Sequence, residues 1–353
     1  MDDRATDPAA TLRATRPKKR KGRRRRRDGR PAAAHLVQYA LLRAVGFVLR
    51  RVPVEWASAA IGGALRVVMP LTSRHRRALD NLALAYPDKT DEERDRIARD
   101  MWSHLGRVAG EAFQIDRLIA DESRVTLPPD FERFRALGAD GAISAALHLG
   151  NWEIAGMLPR RAGLRLAGVY QALHNPLAER YLKRMRAAAY PAGLYPKGPH
   201  LGRTLLRLAR GGAGIGIVSD LREARGVGVL FFGHPAFATP LPAMLARASG
   251  RPIIAGAVIR TGGVRFRAVL EHVPVPVTED RQRDIEEATQ ALHAVFERWI
   301  REAPEQWMWT HRKWARSAAR PLTVREMLFP AGMAEADEPR PDETPARLEP
   351  PRS

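Results

Sequence analysis

Residues 146–153, "ALHLGNWE", place a histidine and a glutamate five residues apart on either side of a glycine. A carboxylate bonded to one imidazole nitrogen holds the ring in one tautomer and raises the basicity of the other nitrogen. Such a pair can take a proton from a hydroxyl group. The sequence therefore predicts His148 as a catalytic base and Glu153 as the carboxylate that orients it.

The chain must turn between these two residues, because positions five apart on one straight helix differ by about 140° and do not face each other. The preceding run "AISAAL" is typical of a buried strand, and Gly150 tolerates the backbone angles of a sharp turn. Asn151 is a good N-cap for a helix that begins at Trp152. This arrangement puts His148 at the carboxyl end of a strand, where open α/β sheets bind ligands.

Composition excludes several other chemistries. The chain has 353 residues, of which 45% are hydrophobic, and it contains no cysteine. Thiolate catalysis and disulfides are therefore excluded, and there is no GxSxG motif for a serine nucleophile. The hydroxyl that loses its proton is then expected to belong to the acceptor substrate. His174 and His234 lack metal-ligand spacing with a set of Cys, Asp or Glu residues, so we expect no metal, and we expect no other cofactor.

The net charge of +20 predicts attraction to polyanions or anionic membranes. Much of it lies in "RPKKRKGRRRRR", within a polybasic tail expected to be disordered over residues 1–34. Residues 326–353 are acidic and proline-rich and are expected to form a second disordered tail. Nucleic-acid binding through the arginine run is an alternative function. Because no aromatic residue interrupts that run, we expect no nucleic-acid partner.

Residues 35–72 contain two apolar blocks. The first, "HLVQYALLRAVGFVLRR", is shorter than the about 20 residues that a membrane span needs, and it contains Arg43. We interpret it as an interfacial helix that forms a membrane-associated hairpin with the second block, residues 55–71. Basic residues flank the first block on both sides and do not favour crossing, so we expect the cytoplasmic face. The alternative is two core helices of a soluble domain.

The remaining segment, residues 73–325, alternates between helical and strand-like patterns. Helices are predicted within 73–115 and at 176–189, 202–209, 240–248 and 284–302. Short apolar runs at 142–149, 167–172, 214–220, 227–233 and 252–260 are typical of buried strands, and 264–273 of a more exposed strand. This alternation predicts an α/β fold with a mixed, mostly parallel sheet flanked by helices.

Five blocks carry a family resemblance. The segment "HLGNWE" resembles the HX4(D/E) signature of the glycerolipid acyltransferase superfamily. Around it, in order, stand "RRALDNLALAYPD", "VYQALHNPLAERYLKRMR", "SDLREARGVGVLFFGHPAFATPLPAMLARASGRPIIAG" and "APEQWMWTHRKW". Together they resemble the late (lauroyl/myristoyl) acyltransferases of bacterial lipid A biosynthesis, over about residues 36–317.

The resemblance implies a glycerolipid-acyltransferase-like fold on the cytoplasmic face of a bacterial inner membrane. It implies transfer of a fatty acyl group from acyl carrier protein or coenzyme A to a hydroxyl of a lipid A precursor. The implied partners are acyl carrier protein, anionic membrane lipids and that precursor. His148 matches the family's catalytic base and Glu153 its partner. The implied substrate-binding residues are Asn151, Asn175, Arg186 and Asp220.

Two departures leave the acceptor open. The family's tyrosine–arginine–proline reads Tyr170-Gln171-Ala172 here, and its aspartate–glutamine or aspartate–histidine reads Asp220-Leu221. Another glycolipid, such as a phosphatidylinositol mannoside, is therefore an alternative acceptor. A lipid-binding homologue without activity is a further alternative.

Two aromatic groups also have two interpretations each. Phe231 and Phe232 either line an acyl groove or belong to the core. Trp307, Trp309 and Trp314 lie among basic residues, and either sit at a membrane interface or pack the last helix on the sheet.

Overall fold

The computed structural model describes residues 32–314. The α-helices are α1 (Ala33–Leu49), α2 (Val54–Val68), α3 (Ser73–Ala85), α4 (Asp91–Ala112), α5 (Ile115–Ala120), α6 (Phe131–Leu137), α7 (Met157–Arg161), α8 (Pro176–Arg186), α9 (Leu201–Arg210), α10 (Leu241–Ser249) and α11 (Arg281–Glu302). Short 3₁₀ turns lie at Met69–Leu71, Glu122–Arg124, Ala187–Ala189 and Pro304–Gln306. The two predicted disordered tails, residues 1–34 and 326–353, lie outside the described residues except for residues 32–34. There α1 already begins, at Ala33.

The strands are β1 (Val125–Thr126), β2 (Ile143–Gly150), β3 (Leu166–Tyr170), β4 (Leu194–Pro196), β5 (Gly214–Val218), β6 (Arg222–Phe231), β7 (His234–Ala238), β8 (Ile253–Gly262) and β9 (Arg265–Val273). Seven of them form one sheet in the order β1-β9-β8-β2-β5-β3-β4. All neighbours are parallel except β8 and β9, which are antiparallel. The predicted α/β fold with a mostly parallel sheet is confirmed.

One strand prediction needs correction. The run at 227–233 is not in the main sheet: it belongs to β6, which pairs antiparallel with β7 in a separate hairpin. The run at 264–273 is β9, which lies between β1 and β8. It is more exposed than β8, as predicted. Its alternating pattern arises because only one face of this strand is well buried.

The hairpin and the C-terminal segment build an aromatic part of the core. Phe231, Trp307 and Trp309 are at most 1% exposed. Trp314 stacks on Phe231, with ring centroids 5.9 Å apart, and Phe232 packs edge-on against Trp309. The tryptophans therefore pack against the hairpin in the protein interior, which excludes the membrane-interface interpretation for Trp307 and Trp309.

The two N-terminal helices pack on different partners. Helix α2 lies against α4, and Gly106 and Gly110 of α4 let the two backbones approach closely. A Cβ atom at Gly106 would lie 2.5 Å from the carbonyl oxygen of Ile61, and one at Gly110 would lie 2.7 Å from that of Ala57. Helix α1 lies against α8 instead. The segment Val54–Leu71 is long and apolar enough to cross a membrane by length and composition, and 22% of it is buried.

Most of the exposed large apolar side chains among the described residues belong to α1, α2 and the turn after α2. They are Leu36, Val37, Leu41, Val45, Phe47, Val48, Trp56, Val67, Val68 and Leu71. Exposed apolar side chains concentrated on neighbouring segments of the chain are typical of a surface that contacts a partner or a membrane.

The end of β2 is shaped by a glycine. The pairing register between β2 and β8 shifts between Ala146 and Gly150, and Gly150 has φ +59°, in the left-handed region. A Cβ atom at this position would lie 2.0 Å from the carbonyl oxygen of Val258. The predicted special backbone angle at Gly150 is therefore confirmed, and the close approach of β8 adds a second requirement for glycine.

We expect Gly150→Ala to destabilise the fold by at least about 3 kcal/mol, because it combines left-handed strain with a backbone clash. Gly163→Ala is the matched control: Gly163 has φ +85°, but a Cβ atom there would meet nothing within 4 Å, so this variant should lose only about 1–2 kcal/mol. Chemical denaturation of both variants measures the difference. Equal losses would show that the approach of Val258 is unimportant.

Candidate active site

His148 is held by a buried aspartate. Its Nδ1 lies 2.8 Å from Oδ1 of Asp220, and its backbone N–H donates to Oδ2 of the same carboxylate at 3.0 Å. The His148 side chain is 17% exposed, whereas that of Asp220 is 1% exposed. A carboxylate accepts hydrogen bonds, so Nδ1 carries the proton and Nε2 is left as the basic nitrogen.

Sheet register explains why these residues meet. Strands β2 and β5 are parallel neighbours in which Ala146 pairs with Val218. His148 and Asp220 each lie two residues further along, so they are level with each other at the carboxyl edge of the sheet. This is the edge at which open α/β sheets bind ligands, as predicted for His148.

Two residues of the C-terminal segment also bond to Asp220. Trp307 donates its indole N–H to Oδ2 at 2.8 Å, and Lys313 donates to the backbone carbonyl of Asp220 at 2.7 Å. Burial raises the pKa of the Asp220 carboxyl, but the charge of His148 and the hydrogen bonds from His148 and Trp307 outweigh burial. Its pKa lies well below the ordinary value, so Asp220 is ionised at neutral pH.

Lys313 is a buried amine that faces a second histidine. Its Nζ lies 3.1 Å from Nε2 of His293, whose Nδ1 donates to the backbone carbonyl of Thr289 at 2.9 Å. Burial lowers the pKa of Lys313 to about 8, partly offset by Asp220. Burial and the adjacent lysine lower the pKa of His293 to about 3. His293 is therefore neutral and accepts from Lys313, which keeps a positive charge close to Asp220.

Glu153 has a different partner from the one predicted. Its carboxylate receives two hydrogen bonds from Arg186, from Nε at 2.7 Å and from the terminal nitrogen at 2.5 Å. Burial lowers the pKa of Arg186, but the charge of Glu153 outweighs it and the pKa lies above its usual value. The expected pairing of His148 with Glu153 is thus corrected: Asp220 occupies Nδ1. Arg186, which was expected to bind substrate, is instead paired with the Glu153 carboxylate.

The turn after β2 also differs from the prediction. No helix begins at Trp152; α7 begins at Met157, and the intervening residues form turns. Asn151 still caps the turn, since its side-chain oxygen accepts from the Glu153 backbone N–H at 3.1 Å. Its amide nitrogen donates to buried Glu111 at 2.7 Å. Asn151 is 1% exposed, so the structure assigns it to holding the turn, where the resemblance implied substrate binding.

Buried Glu111 anchors this turn to the sheet. Arg260 on β8 forms an ion pair with it at 2.7 Å, and Ser58 on α2 donates to it at 2.7 Å. An unpaired charge at this depth would be strongly destabilising. The ion pair and the two additional donors satisfy the carboxylate and fix α2, α4 and β8 around the turn.

Asn175 and Asp220 likewise have contacts within the protein. The Asn175 side-chain oxygen caps α8 by accepting from Leu177 N–H at 3.0 Å, and its amide donates to the His35 carbonyl of α1 at 2.9 Å. The resemblance implied that Asn175 binds substrate, whereas in the structure its side chain joins α8 to α1. Asp220, implied in the same role, is the orienting carboxylate of His148.

Other rings surround the imidazole. Trp152 packs edge-on at 5.2 Å between ring centroids, and the ring of His311 lies 5.8 Å away. Burial and the charge of His148 lower the pKa of His311, and its buried Nε2 has no hydrogen-bond partner among the described residues.

A narrow apolar cavity begins beside Trp152 and extends along the sheet. Ser144 and Ala146 lie on the same face of β2 as His148, because alternate residues of a strand share a face. The cavity floor has small residues on the neighbouring strands, Gly216 on β5 and Gly256 on β8. Its roof includes Phe131, Phe134 and Leu158, from α6 and α7.

Sequence reasoning misses several residues that the structure brings to the site. The sequence indicates Trp307 and Lys313 only as members of an aromatic and basic cluster, and their bonds to Asp220 depend on the return of the C-terminal segment. The register of β2 and β5 is the signal that pairs His148 with Asp220. Among residues 32–314, no three His, Asp or Glu side chains are placed to hold a metal ion.

Comparison with known proteins gives one family. The family model described as bacterial lipid A biosynthesis acyltransferase matches residues 28–316, which is most of the chain. The matched range contains every residue of the site described above. A search of the curated proteins finds no match.

Because His148 contacts Asp220 and not Glu153, removing the charge of each carboxylate should affect activity differently. We expect Asp220→Asn to lower acyltransferase turnover by about 10²–10⁴, because an amide no longer favours the tautomer with Nε2 free. Glu153→Gln should lose at most about tenfold, since glutamine can still accept from Arg186.

Steady-state kinetics of both variants, with circular dichroism to confirm folding, measures the two losses. A loss in Glu153→Gln that equals or exceeds the loss in Asp220→Asn would restore the pairing of Glu153 with His148.

Proposed function

We propose that this chain, which belongs to the family of bacterial lipid A biosynthesis acyltransferases, transfers a fatty acyl group from a thioester to a hydroxyl of a lipid A precursor. The donor is acyl carrier protein or coenzyme A carrying the acyl group. The basic surface of the protein favours acyl carrier protein, which is acidic. No further cofactor takes part in this proposal.

In the proposed reaction, Nε2 of His148 removes the proton of the acceptor hydroxyl while the oxygen attacks the thioester carbonyl. The tetrahedral intermediate collapses as the carbon–sulfur bond breaks. The thiolate leaves with the proton from the imidazolium, so the products are an ester and a free thiol. His148 is then neutral again and ready for another cycle.

The observation that carries this proposal is the bond between His148 and buried Asp220. It presents Nε2 at the carboxyl edge of the sheet, and the carboxylate stabilises the imidazolium that forms during proton transfer. Trp307 and Lys313 keep this carboxylate fixed and ionised. Glu153 takes a supporting role, in which its ion pair with Arg186 ties the turn after β2 to α8.

The apolar cavity is the proposed site of the acyl chain. It starts beside Trp152, next to His148, and it is lined mainly by apolar groups and by glycines that keep it open. A chain lying there would place its thioester carbonyl close to Nε2. Ser144, two residues before Ala146 on the same face of β2, lies further from His148 and would meet the distal part of the chain.

We also propose attachment to the cytoplasmic face of the inner membrane through α1 and α2. Exposed apolar residues such as Val37 (68%), Trp56 (71%) and Leu71 (87%) support this, since burying apolar side chains in the membrane removes them from water. The net positive charge adds attraction to anionic lipids.

The direct test of function uses the purified full chain with a lipid A precursor and either acyl donor. Mass spectrometry of the product should show the added acyl group, and lipid A from cells lacking the protein should lack it. We expect His148→Ala to reduce the rate about 10²-fold or more. Near-normal turnover in that variant would contradict the mechanism.

If the acyl chain lies in the apolar cavity, filling that cavity should change the length of the preferred acyl donor. Ser144→Leu should shift the enzyme towards shorter acyl donors, because leucine fills the distal part of the cavity. Ser144→Ala is the matched control and should keep the original preference. Competition between donors of different length, read by mass spectrometry, measures this. An unchanged preference in Ser144→Leu would place the acyl chain elsewhere.

A further inference from the structure

Five arginines surround a cavity of about 790 Å³ between α1, α5 and α8. We call it the arginine pocket; its arginines are Arg43, Arg50, Arg51, Arg117 and Arg184. The only acidic residue in its lining is Asp116, among the residues that the structure describes. The pocket is separate from the cavity beside His148, with which it shares no lining residue in that range.

Packing between α1 and α8 creates the pocket. Gly46 lets Tyr181 approach α1, since a Cβ atom there would lie 2.6 Å from the tyrosine hydroxyl oxygen. Tyr39 meets Tyr181 edge-on, with ring centroids 6.4 Å apart, and Arg43 lies over the Tyr181 ring at 5.5 Å. These contacts, with the Asn175 bond to α1, hold the arginines of two helices around one space.

Most of the positive charge in the pocket is uncompensated. Asp116 pairs with Arg50 at 2.7 Å, and the other four arginines form no ion pair with a residue in the described range 32–314. Arg51 lies over the Phe47 ring and Arg117 donates to Gln114, both neutral partners. Arg184 is exposed. Positive charges that line one cavity repel each other, and a bound anion would relieve that repulsion.

The surroundings indicate what kind of anion fits. Arginine binds phosphate oxygens through two parallel N–H groups, and several arginines can share one phosphate. Phe47, which lines the pocket, is 58% exposed and lies on the apolar surface of α1 together with Val48 and Val45. A ligand with a phosphate in the pocket and acyl chains along this surface would satisfy both features.

We propose that the arginine pocket binds the phosphate group of an anionic lipid. That lipid is either a phospholipid of the membrane or the phosphorylated acceptor itself. Since Arg186 is engaged by Glu153, the pocket offers positive charge that Arg186 does not. The acceptor source rests on the proposed acyl transfer, whereas the membrane source does not.

The test compares three double variants of the full chain. Arg43→Gln/Arg184→Gln removes two unpaired charges from the pocket. Arg43→Lys/Arg184→Lys keeps those charges. Arg203→Gln/Arg207→Gln removes two exposed arginines from α9, which packs on α10, and is the control for net charge. Thermal melting confirms that each variant is folded.

The first measurement is binding to phosphatidylcholine vesicles with and without phosphatidylglycerol. If the ligand is a membrane phospholipid, the pocket glutamine variant should bind phosphatidylglycerol vesicles at least about tenfold more weakly than the α9 control. Its binding to pure phosphatidylcholine should match the control, and the lysine variant should retain most of the affinity.

The second measurement is the KM for the acceptor at saturating donor. If the ligand is the acceptor, the glutamine variant should raise this KM by about tenfold while the KM for the donor is unchanged. A glutamine variant that matches the α9 control in both measurements would overturn the proposal. Absence of acyl transfer in the parent protein would contradict the proposed function and leave the vesicle result to decide the pocket.

Discussion

The arrangement of the site depends on the hydrogen bond between the Asp220 carboxylate and the His148 imidazole. A carboxylate with 1% exposure is tolerated in a protein interior only when hydrogen bonds replace the lost water. Here the backbone and ring of His148 and the indole of Trp307 supply them. The parallel pairing of β2 with β5 and the return of the C-terminal segment are therefore both required to keep the imidazole of His148 oriented.

Much of the fold could be predicted from the sequence because local patterns determine it. The apolar runs of β2, β5 and β8 and the turn at Gly150 are all recognisable. The partner of His148 is not, because spacing along the chain favours Glu153, whereas strand order decides which carboxylate is near. Asp220 is 72 residues away and becomes a neighbour only once β5 is placed beside β2.

The same limit applies to the residues given substrate-binding roles. Polar residues next to a catalytic motif can bind substrate or can fix the backbone that carries the motif, and composition does not distinguish these. Asn151 and Asn175 both fix the backbone: Asn151 holds the turn after β2, and Asn175 joins α8 to α1. Helix α8 thereby connects the turn of the site, through Arg186 and Glu153, with α1 and its exposed apolar side chains.

Proton NMR of the histidine-labelled full chain tests most directly whether His148 donates its Nδ1 proton to Asp220. A proton hydrogen-bonded between imidazole and carboxylate gives a far-downfield resonance. The structure predicts that this resonance is present in the parent protein and in Glu153→Gln, and absent in Asp220→Asn. Loss of the resonance in Glu153→Gln, together with its persistence in Asp220→Asn, would contradict the assignment.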